Sequence, residues 1–369
     1  MLWRALIATI LAFWTAPHAG GFGEPGATPT TPPHAESSPA SGAQQVETLF
    51  YLRNDDDAIR SFADNAEHIS IIGPQTFNVD ASGALRGRVD ERILDIAGTH
   101  GVHVMPLFLN PGFDQETAHA LLDDAAARAR TVRTLVDLAV ENDFWGWQFD
   151  MENIHVSYRD RLTDFYREAA VALHAAGKTI SIAVVPSDGS VGNDDFSVYM
   201  QENWRSSFDV VALAEIGDFI SWMTYAQHAG GTTPGPVAGL PWMREMTEWV
   251  LEQGVPPEKL SLGIPSYSDY WLPTYDDAGA RVRGRDISFA RARRLAADAG
   301  ATWNWLPDQG VHYAFWQRNV TFDWLFLEDA RSFGLKLDLL QEYPGLRGIS
   351  VWVLGSEDPA IWGVLAERR

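Results

Sequence analysis

The stretch Phe144-Trp-Gly-Trp-Gln-Phe-Asp-Met-Glu-Asn153 concentrates residue types that can move protons. Read as a strand it alternates faces, so Gln148, Asp150 and Glu152 point one way and Trp147, Phe149 and Met151 the other. The apolar set suits an outer face covered by helices, which leaves an amide and two carboxylic acids aimed at an interior. Burying like charges this close is unfavourable, and Val or Ile would fill the space with less penalty. Proton transfer is the reason to keep them. Neighbouring carboxyls split their proton affinities, so one stays ionised while the other holds a proton near neutral pH, the requirement for general acid/base catalysis. The alternative, two solvated acids at a strand end, is the weaker reading for an α/β barrel, whose strand ends carry its chemistry.

The elements that must position this pair alternate strand and helix. Strands are predicted at 46–53, 68–73, 102–109, 145–150, 179–186, 218–225, 260–267 and 348–354. Leu121, Leu122, Ala125, Ala129, Val132, Val136 and Ala139 recur at helical spacing across 118–140, and Leu162, Phe165, Tyr166, Ala169, Ala170 and Leu173 repeat the pattern in the next connection. Eight strands in β-then-α order predict an α/β chain folded as a closed parallel (β/α)8 TIM barrel. An open doubly wound sheet is disfavoured because no Gly-rich phosphate loop follows the first strand. The gap before the last strand is too long for one helix. Residues 269–322, with Trp271, Trp303, Trp305, Tyr313, Phe315 and Trp316, predict a small inserted subdomain on the catalytic rim, between strands seven and eight. No internal repeat is visible.

The formal net charge of -21 argues against nucleic acid or an acidic membrane as partner. The absence of cysteine excludes disulfides, zinc–thiolate sites, a thiol nucleophile and a lipid-anchored cysteine. Fifteen tryptophans favour carbohydrate, because apolar sugar faces stack on indole. Met-Leu-Trp-Arg4, an apolar run from Ala5 to Ala16, and Pro17-His-Ala-Gly20 have the layout of a secretory signal, so residues 1–19 are expected to be cleaved near Ala16 or Ala19. The mature protein is then exported, secreted or periplasmic, with no membrane anchor. Residues 20–45, rich in Pro, Gly, Ala, Ser and Thr, read as a flexible tether to one domain over 46–369.

The acid-bearing strand resembles that of glycoside hydrolase family 18, whose motif is Asp-x-x-Asp-x-Asp-x-Glu. Here those positions read Trp145-Gly-Trp-Gln148-Phe-Asp150-Met-Glu152, matching the last two acids and departing at the first two. Members related to spore-cortex-lytic and chitobiase-like enzymes vary at those two positions as well. Ser221-Trp-Met223-Thr-Tyr225 resembles the family's strand-six Met-x-Tyr, Gly263-Ile-Pro-Ser-Tyr267 its strand seven, and Ser350-Val-Trp352 the tryptophan ending strand eight. Phe326-Leu-Glu-Asp-Ala330 fits too, so the resemblance spans roughly residues 46 to 366, the length of one barrel. The period-two rule adds that Ser221, Met223 and Tyr225 share a face opposite Ile220, Trp222 and Thr224.

The resemblance implies a retaining, substrate-assisted hydrolase of N-acetylglucosamine-containing polysaccharide or oligosaccharide: chitin oligomers, peptidoglycan or N-linked glycans. Glu152 would be the acid/base, Asp150 the partner of the acetamide N–H, and Tyr225 the group holding the acetamido oxygen. Trp352 would floor the sugar before the cleaved bond, with Gln148, Met223, Tyr267 and Gln227 as further substrate contacts. No cofactor and no metal is implied. Where many members carry Asp after the strand-six Tyr this chain has Ala226, with Gln227 offering either a replacement contact or a plain loop residue. The rival class is a non-catalytic, lectin-like barrel, which in this family has usually lost the acid that Glu152 retains. His100 and His103 lack a third ligand nearby in sequence and read as surface or strand-end residues, and Asp55-Asp56-Asp57 lacks the Gly and Glu of a calcium loop and reads as a solvated loop.

Overall fold

The computed structural model describes residues 46–276 and 279–368. The expected export signal and tether, residues 1–45, lie outside the described residues. Eight segments run parallel: β1 (Glu47–Leu52), β2 (Ile71–Pro74), β3 (Leu107–Leu109), β4 (Gly146–Asp150), β5 (Thr179–Val184), β6 (Phe219–Trp222), β7 (Leu260–Pro265) and β8 (Gly348–Trp352). Each of the steps β3–β4–β5–β6–β7–β8–β1–β2 is a parallel pairing, with helices in most connections, which gives a (β/α) barrel-like sheet.

The ladder is not the closed ring of eight that the sequence predicts. It is a curled, mixed sheet of eleven segments whose two ends are Leu85–Arg86 and His103–Val104. Pro106 is the physical reason, since proline has no N–H for the ladder and splits the predicted strand 102–109 in two. His103–Val104 pairs with β2, whereas β3 pairs with β4 and with Phe77–Val79, which pairs antiparallel with Leu85–Arg86. Single main-chain bonds still cross the break, from Met105 N–H to Ile72 (2.9 Å) and from Trp145 N–H to Val104 (2.9 Å).

The alternation read from β4 sorts its side chains into two cores. Trp147, Phe149 and Met151 are fully buried on the outer side, where Phe149 meets Phe165 and Tyr166 at 5.7 and 5.4 Å and Trp147 Nε1–H donates to Leu135 (2.9 Å). Each large side chain buried this way stabilises the fold by about 1.5–3 kcal/mol. On the inner side Leu49, Tyr51, Ile71, Met105, Leu107, Leu109, Phe219 and Val353 form a second cluster. A polar layer lies within the sheet. Ser350 bonds Ser221 (2.8 Å) and Ser261 (2.7 Å), and Ser181 donates to Gln148.

The helical pattern over 118–140 is interrupted. Asp124 is extended (φ -97°, ψ 102°) and accepts from Ala126 and Ala127 N–H (2.8 and 3.2 Å), ending the helix Gln115–Asp123 and capping Ala125–Glu141. Between β7 and β8 the expected insertion is present as a five-stranded antiparallel sheet, in order Gly279–Ile287, Ser268–Asp276, Thr321–Leu327, Val311–Arg318, Asn304–Leu306. The helix Phe289–Asp298 covers it through Ala292 and Ala296, which share a core with Tyr270, Ala314 and Leu325. Where this sheet returns to the barrel, the buried Lys336 ammonium pairs with the buried Glu328 carboxylate, which also accepts from Ser332 (2.7 Å).

Candidate active site

At the end of β4 the chain must deliver Glu152 beside Asp150 and then turn away. Asn110, directly after β3, does the holding. Its buried amide accepts from Glu152 N–H (3.1 Å) and donates to Glu152 C=O (2.9 Å) and Asp114 C=O (3.2 Å). Asn153 then takes a left-handed backbone (φ 54°), which asparagine tolerates better than most residues, and its amide donates to Phe113 C=O (3.0 Å). Both carboxyls are thereby fixed at the floor of a cavity of about 630 Å³.

Of the site residues expected from sequence, Asp150, Glu152, Tyr225, Met223, Tyr267, Gln227 and Trp352 line this cavity. Gln148 does not. It is fully buried below the floor, accepts from Ser181, and its Nε2 has no partner. The strand alternation puts it on the face of Asp150, one step deeper than the cavity lining. Gln227 is half committed, because its Oε1 accepts from Gly239 N–H (2.8 Å) to hold the following loop. Tyr51, at the inward end of β1, was not singled out from sequence; it lines the cavity, with Ser221 and Ser350 near its hydroxyl. Its position on the face of Leu49 was the available signal.

Burial pushes the Asp150 carboxyl up to about 7, and a hydrogen bond from Glu152 acts in the opposite direction. Glu152 is raised well above the ordinary carboxylate range by burial, then by the Asp150 charge and by the same bond. The sharing therefore has a sense: Glu152 holds the proton and donates it, Asp150 accepts. The second Asp150 oxygen, Oδ1, is buried without a partner and is free to accept from a ligand. Tyr225 is held in its hydroxyl form by burial and by the neighbouring Tyr51 and Asp150, so it enters the cavity as a donor. Trp352 ends β8, with the Tyr51 ring centroid at 5.6 Å and the Arg53 guanidinium 5.3 Å from its ring centroid; the Trp352–Val353 peptide is cis.

The remaining sequence candidates sit elsewhere. His103 stacks on Trp145 at 4.8 Å, Asp55 caps the helix Asp56–Asn65 by accepting from Ala58 N–H (2.9 Å), and Asp56 and Asp57 pair with Arg92 and Arg60. Among the described residues no group of three His, Asp or Glu is placed to hold a metal ion, and no helix is long and apolar enough to cross a membrane.

Known proteins are similar to this chain in sequence and in fold. Over 342 residues the chain is 25% identical to the cortical fragment-lytic enzyme of Bacillus subtilis (strain 168), covering 89% of this chain and 76% of that protein. It is 26% identical over 313 residues to the putative sporulation-specific glycosylase YdhD of the same organism, covering 83% and 71%. Among solved structures, a chitinase from Chromobacterium violaceum ATCC 12472 superposes with a TM-score of 0.76 at 24% identity, over 88% of this chain and 98% of that one. The Bacillus cereus spore cortex-lytic enzyme SleL gives 0.76 at 21%, over 88% and 74%. These two structures share the fold. The model of glycosyl hydrolases family 18 matches residues 97–357, most of the described chain including β4, Glu152 and β8, and the chain belongs to that family of hydrolases acting on glycosidic bonds.

Proposed function

We propose that this protein hydrolyses β-linked glycans containing N-acetylglucosamine, with retention of configuration, the substrate's own acetamido group acting as nucleophile. Family membership supports the reaction class, and the relatives' descriptions as chitinase and cortical fragment-lytic enzyme support an acetylated amino-sugar substrate. The observation that carries the reading is that the carboxyls of Asp150 and Glu152, with Tyr225 and Trp352, line one cavity.

In this reading Glu152 transfers its proton to the glycosidic oxygen as the acetamido oxygen attacks the anomeric carbon and the C–O bond breaks. The attack is intramolecular and benefits from high effective molarity. Asp150 accepts the acetamide N–H on its free oxygen and stabilises the oxazolinium charge, while the Tyr225 hydroxyl orients the acetamido carbonyl. Glu152, now ionised, takes a proton from the water that opens the ring. Trp352 floors the sugar before the cleaved bond, with Met223 and Tyr267 beside it. Residues 1–19, as an export signal, and 20–45, as a tether, would deliver this domain outside the cytoplasm.

Proton NMR of the first-formed anomer from chitotetraose, with fully deacetylated chitotetraose as control, tests the mechanism. A retained anomer and an inert control are expected. Steady cleavage of the deacetylated chain would put the nucleophile on the protein and overturn the reading.

A further inference from the structure

The cavity has a second wall that the mechanism leaves unused. The chain between β5 and β6 runs through the short helix Asp195–Met200 and one wide helical turn, Gln201–Arg205, and brings Phe196, Tyr199, Trp204 and Arg205 to the cavity. Phe196 and Tyr199 are 51% and 48% exposed, and Trp204 meets Phe113 edge-on at 6.2 Å. Exposed rings beside a cleft are sugar platforms in waiting.

Arg205 is the unusual member. Two cations line the cavity among the described residues, Arg53 and Arg205. Arg53 already has company: it lies over Trp352, and its charge counters the upward effect of burial on the Asp286 carboxyl. Arg205 makes no ion pair with any described residue, and its Nε is buried without a hydrogen bond. The one acid whose field reaches it is Asp188, whose Oδ1 is taken by the Ser190 N–H (2.9 Å) and hydroxyl (2.6 Å). Partial burial lowers the Arg205 pKa, yet such a group stays charged in proteins. A partly buried guanidinium whose Nε lacks an acceptor can take one from a ligand, and a planar carboxylate is the group its fork geometry fits.

Topology gives the side of the cleft. The Arg205 wall follows β5, which lies between β4, the strand of Asp150, and β6, the strand leading to Tyr225; Trp352 ends β8, three pairings away. With Trp352 under the sugar before the cleaved bond, the wall faces the sugar after it. The cleft also carries Asp150, Glu152 and Asp286, in a chain of net charge -21, so an anionic substrate would be repelled unless a cation were reserved for it.

We propose that Arg205 binds a carboxylate on the leaving-side sugar, so that the cleft prefers glycans whose acetylated amino sugar is followed by one bearing an O-linked lactyl group with a free carboxyl, as in peptidoglycan strands stripped of their stem peptides, over uncharged chitin. This rests on the glycosidase reading above and adds a substrate class to it.

Three tetrasaccharides test it: chitotetraose, an alternating N-acetylglucosamine–N-acetylmuramic acid tetramer, and that tetramer with its lactyl carboxyls reduced to alcohols. In the wild-type protein, kcat/KM for the carboxylate tetramer should exceed that for its reduced form by about tenfold to a hundredfold, the range of a charge-assisted hydrogen bond, and the ratio should shrink with salt. In Arg205→Gln the ratio should fall to near one, with Arg205→Lys between, while circular dichroism and melting report the fold. If the wild type cleaves chitotetraose and treats the two tetramers alike, the carboxylate site is wrong and the glycosidase reading stands. A preference that persists in Arg205→Gln also overturns the assignment. If the wild type cleaves none of the three, the glycosidase reading itself fails and takes this inference with it. The wild-type comparison decides without any variant having to fold.

Discussion

The Asn110 side chain grips the main chain of Glu152 from both sides, accepting from its N–H at 3.1 Å and donating to its C=O at 2.9 Å across 42 residues of sequence. The acid is thus aimed by a neighbouring strand's end and not by its own loop alone. Asn110→Ala removes both bonds and leaves two polar groups near a buried site, each loss destabilising by about 1–3 kcal/mol. The expected result is a lower melting temperature and a kcat reduced by about ten- to a hundredfold, with KM changed far less, because misplacement of the acid affects the chemical step. A variant that keeps wild-type kcat would show that Glu152 is positioned without Asn110.

Glu152→Gln keeps the shape and removes the proton, so hydrolysis should be abolished while the protein still binds chitooligosaccharide by calorimetry. Turnover at the wild-type rate would take Glu152 out of the mechanism.

The pH dependence follows from the two raised carboxyls. The folded protein holds protons on Asp150 and Glu152 at pH values where the unfolded chain has lost them, so stability is greatest below about pH 4 for these groups. It declines as pH rises towards the folded value of about 7 for Asp150 and further for Glu152. Asp150→Asn cannot ionise. It should raise stability at pH 8 by on the order of 1–3 kcal/mol over wild type, little at pH 4, and lower kcat by about a hundredfold or more. Denaturant melts at the two pH values measure the first effect; equal stabilities at pH 8 would show that burial does not strain this pair. On the proposed mechanism the singly protonated pair is the working form, so kcat/KM should trace a bell whose acidic limb lies near pH 7.

Period-two alternation made the two faces of β4 legible in sequence, because one face is wholly apolar and the other wholly polar. It gives direction and not depth: Gln148, expected as a substrate contact, is buried and does not line the cavity. The break in the sheet was visible too: Pro106 stands inside the predicted strand, but the apolar run around it outweighed one missing donor. Asp124 likewise interrupts a helix whose apolar spacing continues on either side. The grip of Asn110 on Glu152 had no local signal, since it joins the ends of two strands that only the folded sheet makes neighbours. The β5–β6 wall with Arg205 has neither period, and its approach to the cavity depends on tertiary packing.

The Glu328–Lys336 pair fastens the inserted sheet to the barrel from a position with almost no solvent. Burial raises the Glu328 carboxyl, and Lys336 and Ser332 oppose that rise, so the carboxylate depends on its partner. Lys336→Met should destabilise by about 3–5 kcal/mol by leaving a buried charge alone. Adding Glu328→Gln to it should recover part of that loss. Equal stability of Lys336→Met and wild type in urea would mean the pair is not energetically coupled to folding.

Trp352 stands apart from the aromatic core in a way that separates two explanations of its presence. It ends β8 with its ring half-exposed to the cavity, whereas Trp147, Trp222 and Trp271 are fully buried and belong to the packing. The Tyr51 ring is tilted against it at 5.6 Å, and the Arg53 guanidinium lies over it, 5.3 Å from the ring centroid. A platform of this kind contributes on the order of 1 kcal/mol or more through stacking on the apolar face of a sugar. Trp352→Ala should therefore lower kcat/KM by about tenfold or more while circular dichroism stays that of the wild type and the melting temperature moves little. Trp352→Phe should recover part of the activity, since it restores an apolar face of smaller area. If the alanine variant loses its cooperative melt along with its activity, Trp352 is a core residue closing the end of β8, and the sugar's floor must be sought elsewhere on the cavity wall.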